Sequence, residues 1–123
     1  MPELLIDGDD LVLHLSLLGK VAALHGDIRV PLQTVSEVAE EQDPWVHLRG
    51  VRAPGKVLPA LMAYGTRRHR GARDFAAIQG TGPAVRVDLE PGTPYNRLLA
   101  TVPDHHSSVE RISEAVRRVK KTG

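Results

Sequence analysis

Four arginines, Arg67, Arg68, Arg70 and Arg73, fall within a single seven-residue stretch beside Gly71. A guanidinium presents paired N–H donors that match phosphate or carboxylate, so this cluster is a candidate anion- or partner-binding site. The plainer reading is a solvated loop, or one facing acidic residues of the fold or of another subunit. Its surroundings sharpen the question. Residues 44–73 carry seven bases (Arg49, Arg52, Lys56 and the four above) and no acid, whereas residues 1–43 carry nine acids and two bases. Residues 74–123 are balanced, with six acids and seven bases. The formal net charge is only +1, so the distribution of charge, not its sum, points to a partner.

Other combinations offer less. His105-His106 beside Asp104 sets two imidazoles next to a carboxylate. Adjacent residues at a helix start diverge, and the chain has no cysteine to help, so exposed cap residues are expected, with no metal and no cofactor. Gly80-Thr81-Gly82 looks like a phosphate loop but leads into a strand, which makes it a turn. Neither a Gly-x-Ser-x-Gly elbow nor a His-Glu-x-x-His helix occurs. A non-catalytic chain is therefore expected. The rival is a small α+β enzyme whose scattered Asp, Glu and His residues converge in a deep pocket.

These side chains need a scaffold. The 123 residues suit one domain, 1–123, able to bury roughly two thirds of its unfolded surface. Without cysteine there are no disulfides, thiol nucleophiles or zinc–thiolate sites. The first ten residues are acidic where a secretory signal is basic, and no stretch approaches the ~20 apolar residues that cross a bilayer. A cytoplasmic protein is the expectation. Aromatics number only four (Trp45, Tyr64, Phe75 and Tyr95), so the core must be aliphatic.

Hydrophobic periodicity supplies the elements. Leu4-Leu5-Ile6 and Leu11 to Leu15 flank Asp7-Gly8-Asp9-Asp10, a hairpin signature. Leu17, Val21 and Leu24, with Ser16 before and Gly26 after, predict a short helix. Strands are expected at Asp27 to Pro31 and Thr34 to Glu41. Residues 42–66 are broken by Pro44, Pro54 and Pro59, with a strand or covered turn at Val57 to Tyr64. The arginines then form a basic loop or turn ahead of a strand over Asp74 to Gln79. Val85, Val87 and Leu89 alternate with Arg86 and Asp88 in the next strand, and a further β-rich run follows from Tyr95 to Val102. Val109, Ile112, Val116 and Val119 then recur at helical spacing behind Asp104, with Arg117, Arg118, Lys120 and Lys121 suiting the C-terminal end of the dipole. About seven strands, a minor helix and one C-terminal helix make a mainly β, α+β chain.

That order resembles the pleckstrin-homology (PH) fold. Arg73-Asp74-Phe75-Ala76-Ala77-Ile78, Pro83 to Leu89, Tyr95-Asn96-Arg97-Leu98-Leu99 and Val102-Pro103-Asp104 are similar to segments of the small bacterial PH-like proteins. Gly26 to Leu32, Trp45, Arg52-Ala53-Pro54-Gly55 and Tyr64-Gly65 extend the likeness over nearly the whole chain. The resemblance implies a seven-stranded antiparallel, partly open barrel capped by the C-terminal α-helix, serving as a binding or assembly module. The implied partner is an unknown protein or an anionic ligand such as a lipid head group, met through residues 49–73. Self-association as a homo-oligomer and peripheral contact with a membrane belong to the same expectation; nucleic acid does not. Two departures matter: Lys20 is followed by Arg29-Val30-Pro31, not the phosphoinositide-gripping basic pattern, and no tryptophan lies between Asp104 and Lys121. Phosphoinositide binding is therefore not carried over.

Overall fold

The computed structural model describes residues 2–15, 26–47, 51–58, 62–69, 72–80 and 82–122. Nine strands and one long helix appear among them: β1 (Glu3–Asp7), β2 (Asp10–His14), β3 (Ile28–Pro31), β4 (Val35–Glu41), β5 (Val51–Leu58), β6 (Met62–His69), β7 (Ala72–Gln79), β8 (Ala84–Leu89), β9 (Arg97–Ala100) and α1 (His105–Thr122). Short 3-10 turns occupy Leu32–Thr34 and Pro44–His47. The helix expected over Leu17 to Leu24 lies outside the described residues.

The strands form two sheets, a three-stranded one in the order β1-β2-β3 and a six-stranded one in the order β4-β8-β9-β7-β6-β5. This is the mainly β architecture with a C-terminal helix that the periodicity predicts. It departs from the expected barrel in three respects. Nine strands replace seven, because the irregular stretch after Gly50 forms both β5 and β6. The two sheets are not closed on each other. Finally, β9 inserts between β8 and β7, antiparallel to the first and parallel to the second. Consecutive strands β7 and β8 are thus not neighbours, although each is an ordinary strand.

Local rules explain most of the elements. Gly8, at φ 62, makes the turn between β1 and β2, a conformation that L side chains resist. On β8 the alternation holds: Val85, Val87 and Leu89 are buried in the central cluster while Arg86 and Asp88 face outward. The inner faces of both sheets meet in that cluster, where Leu11, Leu13, Phe75, Val85 and Val87 are fully excluded from solvent. A second, smaller cluster lies on the outer face of the large sheet. There Trp45 covers Ala76, Ile78, Ala84 and Leu99 and donates from Nε1 to the Gly80 carbonyl at 2.8 Å.

Helix α1 packs against β4, β8, β1 and the turn at 32–34. Ser108, Ile112, Ala115 and Val119 form its buried line, with Val109 and Val116 half-buried at the shoulders. The stripe is therefore rotated slightly from the one drawn through the valines alone. Gln33 reaches over to donate to the Val119 carbonyl at 3.0 Å. At the other end Asp104 accepts hydrogen bonds from the buried Ser108 hydroxyl (3.1 Å) and from Arg111 (3.0 Å). Its charge also faces the positive end of the helix dipole. Asp104→Ala is expected to lower the unfolding free energy by about 1 kcal/mol in urea titrations; an unchanged midpoint would remove Asp104 from the helix start. No helix among the described residues is long and apolar enough to cross a membrane.

Candidate functional site

The arginine cluster does not sit in a loop. Arg67 and Arg68 lie within β6 and Arg73 lies within β7, while Arg70 falls outside the described residues. Register then separates them, because Arg67 stands opposite Asp74 and Arg68 stands opposite Arg73. Directly opposed residues share a face and successive residues alternate. Arg67 is therefore on the outer face of the large sheet, and Arg68 and Arg73 are together on the other.

On the outer face Arg67 belongs to a row of charge that crosses all six strands. Glu37 is paired in register with Asp88, Asp88 with Arg97, Arg97 with Asp74, Asp74 with Arg67, and Arg67 with Arg52. Arg97 donates to Asp88 at 2.8 Å. The two adjacent carboxylates of Glu37 and Asp88 are bridged by Arg86, which donates to both and to Glu41 at 2.7 Å. Burial alone would lower the Arg86 pKa, but hydrogen bonds to Glu41 and Glu37 and the nearby Asp88 and Glu37 charges raise it above the usual arginine value. Asp74 is buried between the row positions of Arg67 and Arg97. The structure thus gives Arg67 a place in a sheet-spanning ladder of charge, on the face away from Arg68 and Arg73.

The opposite face brings together what remains. Arg73 lays its guanidinium over the ring of Tyr95, 4.9 Å from the centroid, within range of a cation–π attraction. Tyr95 is buried and stands edge-on against Phe75, at 5.9 Å and 81°. Asn96 fixes the backbone of Arg73 from both sides: its side-chain oxygen accepts from the Arg73 amide at 3.1 Å, and its own amide donates to the Arg73 carbonyl at 2.7 Å. Arg73 is thus held in place by Tyr95 and Asn96, neither of which sequence spacing marks as functional. The signal available was that Tyr95 is one of only four aromatics in the chain. Nε of Arg73 is buried with no hydrogen-bond partner among the described residues. Across from it Arg68 is exposed. Among the described residues no carboxylate pairs with Arg68 or Arg73, so two cations face each other directly, an arrangement that costs stability unless an anion joins them.

The remaining sequence candidates, the histidine pair and the glycine turn, lie elsewhere in the fold. His105 Nε2 lies 3.4 Å from Glu40 Oε2, and the exposed His106 lies 3.8 Å from the same oxygen and 3.5 Å from Glu110. Among the described residues no group of three His, Asp or Glu side chains is arranged to hold a metal ion. Gly80, at φ 70, ends β7 and accepts the Trp45 hydrogen bond on the way to a strand.

Within the acidic residues 1–43, Arg29 binds Asp7 at 2.8 Å and Asp10 at 3.0 Å, and these bonds raise the Arg29 pKa above its ordinary value. Comparison with protein-family models, with curated proteins and with solved structures finds no match to this chain.

Proposed function

We propose that this chain is a non-catalytic binding module that holds a phosphate- or carboxylate-bearing ligand between Arg68 and Arg73 on the β6–β7 hairpin. One observation carries the reading: two arginines stand directly opposite each other on one face with no carboxylate paired to either among the described residues. Arg73 is the fixed half of the site, set by Tyr95 and Asn96, and Arg68 is the exposed arm that closes on the anion. A directly opposed pair places its Cβ atoms about 5 Å apart, close enough for two guanidiniums to grip one tetrahedral or planar anion. Support for a PH-like module comes from the two sheets and helix α1 packed against them. The nine strands and the parallel β7–β9 pair depart from that family's pattern.

The test is binding to vesicles of phosphatidylglycerol against phosphatidylcholine, and to citrate and inorganic phosphate, at low and high salt. Arg68→Ala removes a charge-assisted contact worth about 1.5–3 kcal/mol, so affinity should fall about tenfold or more. Raising the ionic strength should weaken the wild type in the same direction. Arg67→Ala, on the other face, should leave binding intact. Equal losses for Arg67→Ala and Arg68→Ala, or no binding to any of these anions at low salt, would reject the site. Vesicle binding without citrate or phosphate binding would identify the lipid head group as the source of the anion.

A further inference from the structure

A groove of about 1020 Å³ runs between β1 and α1. On one side stand Leu5 and Ile6 of β1, and on the other Val109 and Ala115 of the helix with the charged Glu110, Glu114, Arg111, Arg117 and Arg118. β1 pairs only with β2 among the described residues, so the main-chain groups of its outer side are unpaired along the groove. Leu5, in the middle of that strand, is 41% exposed, the only large hydrophobic side chain so exposed among the described residues. An unpaired edge, an exposed leucine and a facing helix wall together match the way an extended chain adds to a sheet.

The charge along the groove selects the occupant. Glu3 and Asp7 flank Leu5 on the same face of β1. Glu3 has no basic partner among the described residues, and Asp7 shares the one guanidinium of Arg29 with Asp10. On the helix wall Glu110 faces only His106, whereas Arg111, Arg117 and Arg118 are engaged by Asp104, Glu114 and Asp9. With the three arginines of the helix wall paired, the carboxylates that lack a full counter-charge are Glu3 and Asp7 on β1 and Glu110 at the rim. A second copy fits badly: antiparallel pairing of two β1 strands about Leu5 sets Glu3 opposite Asp7 twice, and like charges directly opposed repel. Of the two edges of the large sheet, β4 lies beside α1, and β5 carries Pro54, which lacks an N–H, and breaks register between Arg52 and Gly55.

We infer that this groove binds an extended segment of a partner protein, added as a strand beside β1, with an apolar centre against Leu5 and a basic residue two positions to each side, opposite Glu3 and Asp7. The positions between them turn toward the α1 wall and are small and apolar. This surface is distinct from the Arg68–Arg73 face and stands or falls separately.

A short synthetic peptide carrying Lys-Val-Ile-Val-Lys, titrated against the full chain by fluorescence anisotropy, tests the inference. Binding is expected, with a loss of about tenfold or more for Glu3→Lys at unchanged melting temperature and for the peptide with both lysines replaced by glutamate. Methylating the peptide nitrogens that pair with β1 should abolish binding, which separates strand addition from loose charge attraction. Arg68→Ala should bind the peptide as the wild type does. No binding, or binding indifferent to methylation or to Glu3→Lys, would overturn the inference. So would a concentration-dependent dimer that Leu5→Glu dissolves, since the occupant would then be a second copy.

Discussion

Phe75→Ala is expected to cost about 3–5 kcal/mol of unfolding free energy, a large part of the 5–15 kcal/mol typical of a domain. Phe75 is fully buried on β7, between β6 and β9 in the middle of the large sheet. It also braces the edge of Tyr95, whose ring carries the guanidinium of Arg73. Loss of the ring therefore opens a cavity and loosens the shelf beneath the proposed anion site. Phe75→Leu, which keeps most of the volume, should cost less than about 1.5 kcal/mol. Urea unfolding of both variants separates the two effects. Where Phe75→Leu stays folded but binds anions more weakly, the edge contact to Tyr95 is positioning Arg73; a loss below 1 kcal/mol for Phe75→Ala would show that the site collapses around the deletion.

What the sequence revealed, and what it hid, follows from the range of the interactions. The β1–β2 hairpin was readable because Asp-Gly between apolar runs is a local signal, and β8 was readable because Val85, Val87 and Leu89 alternate with charge. β5 was not readable, since Pro54 and Gly55 argue against a strand and only an edge position accommodates them. The parallel β7–β9 pair was invisible for a different reason: strand order depends on long-range pairing, which no local pattern encodes. The arginine cluster shows the limit most clearly. Proximity in sequence suggested one site, but a strand turns neighbouring side chains to opposite faces, and the partner of Arg67 is fixed by register with Asp74. Tyr95 and Asn96 come to Arg73 from more than twenty residues away, beyond any motif.

Arg86→Ala is the other change with a large expected effect. Its side chain is 12% exposed and binds Glu37, Glu41 and Asp88, of which Glu41 (18%) and Asp88 (21%) are themselves largely covered. Removing one partner from a fully buried ion pair costs about 3–5 kcal/mol, because the charge left behind has lost both water and counter-charge. The partial exposure here lowers that to about 2–4 kcal/mol. Arg86→Lys should recover little, since one ammonium cannot reproduce a planar fork shared by three carboxylates. The pH dependence has a definite sign. The Arg86 pKa is raised in the folded state, so its contribution is fully present below the ordinary arginine value and is lost only as pH climbs through the folded one, far into alkali. Between neutrality and moderately basic pH the penalty of Arg86→Ala should therefore be constant. In acid it should shrink, because protonated carboxylates no longer need a cation. Urea titrations across pH measure both limbs. A neutral Arg86→Ala would mean that the outer row of charge is solvated and contributes no cohesion. Arg67 would then be released from its ladder with Asp74, and the proposed anion site would have to be sought on both faces of the hairpin.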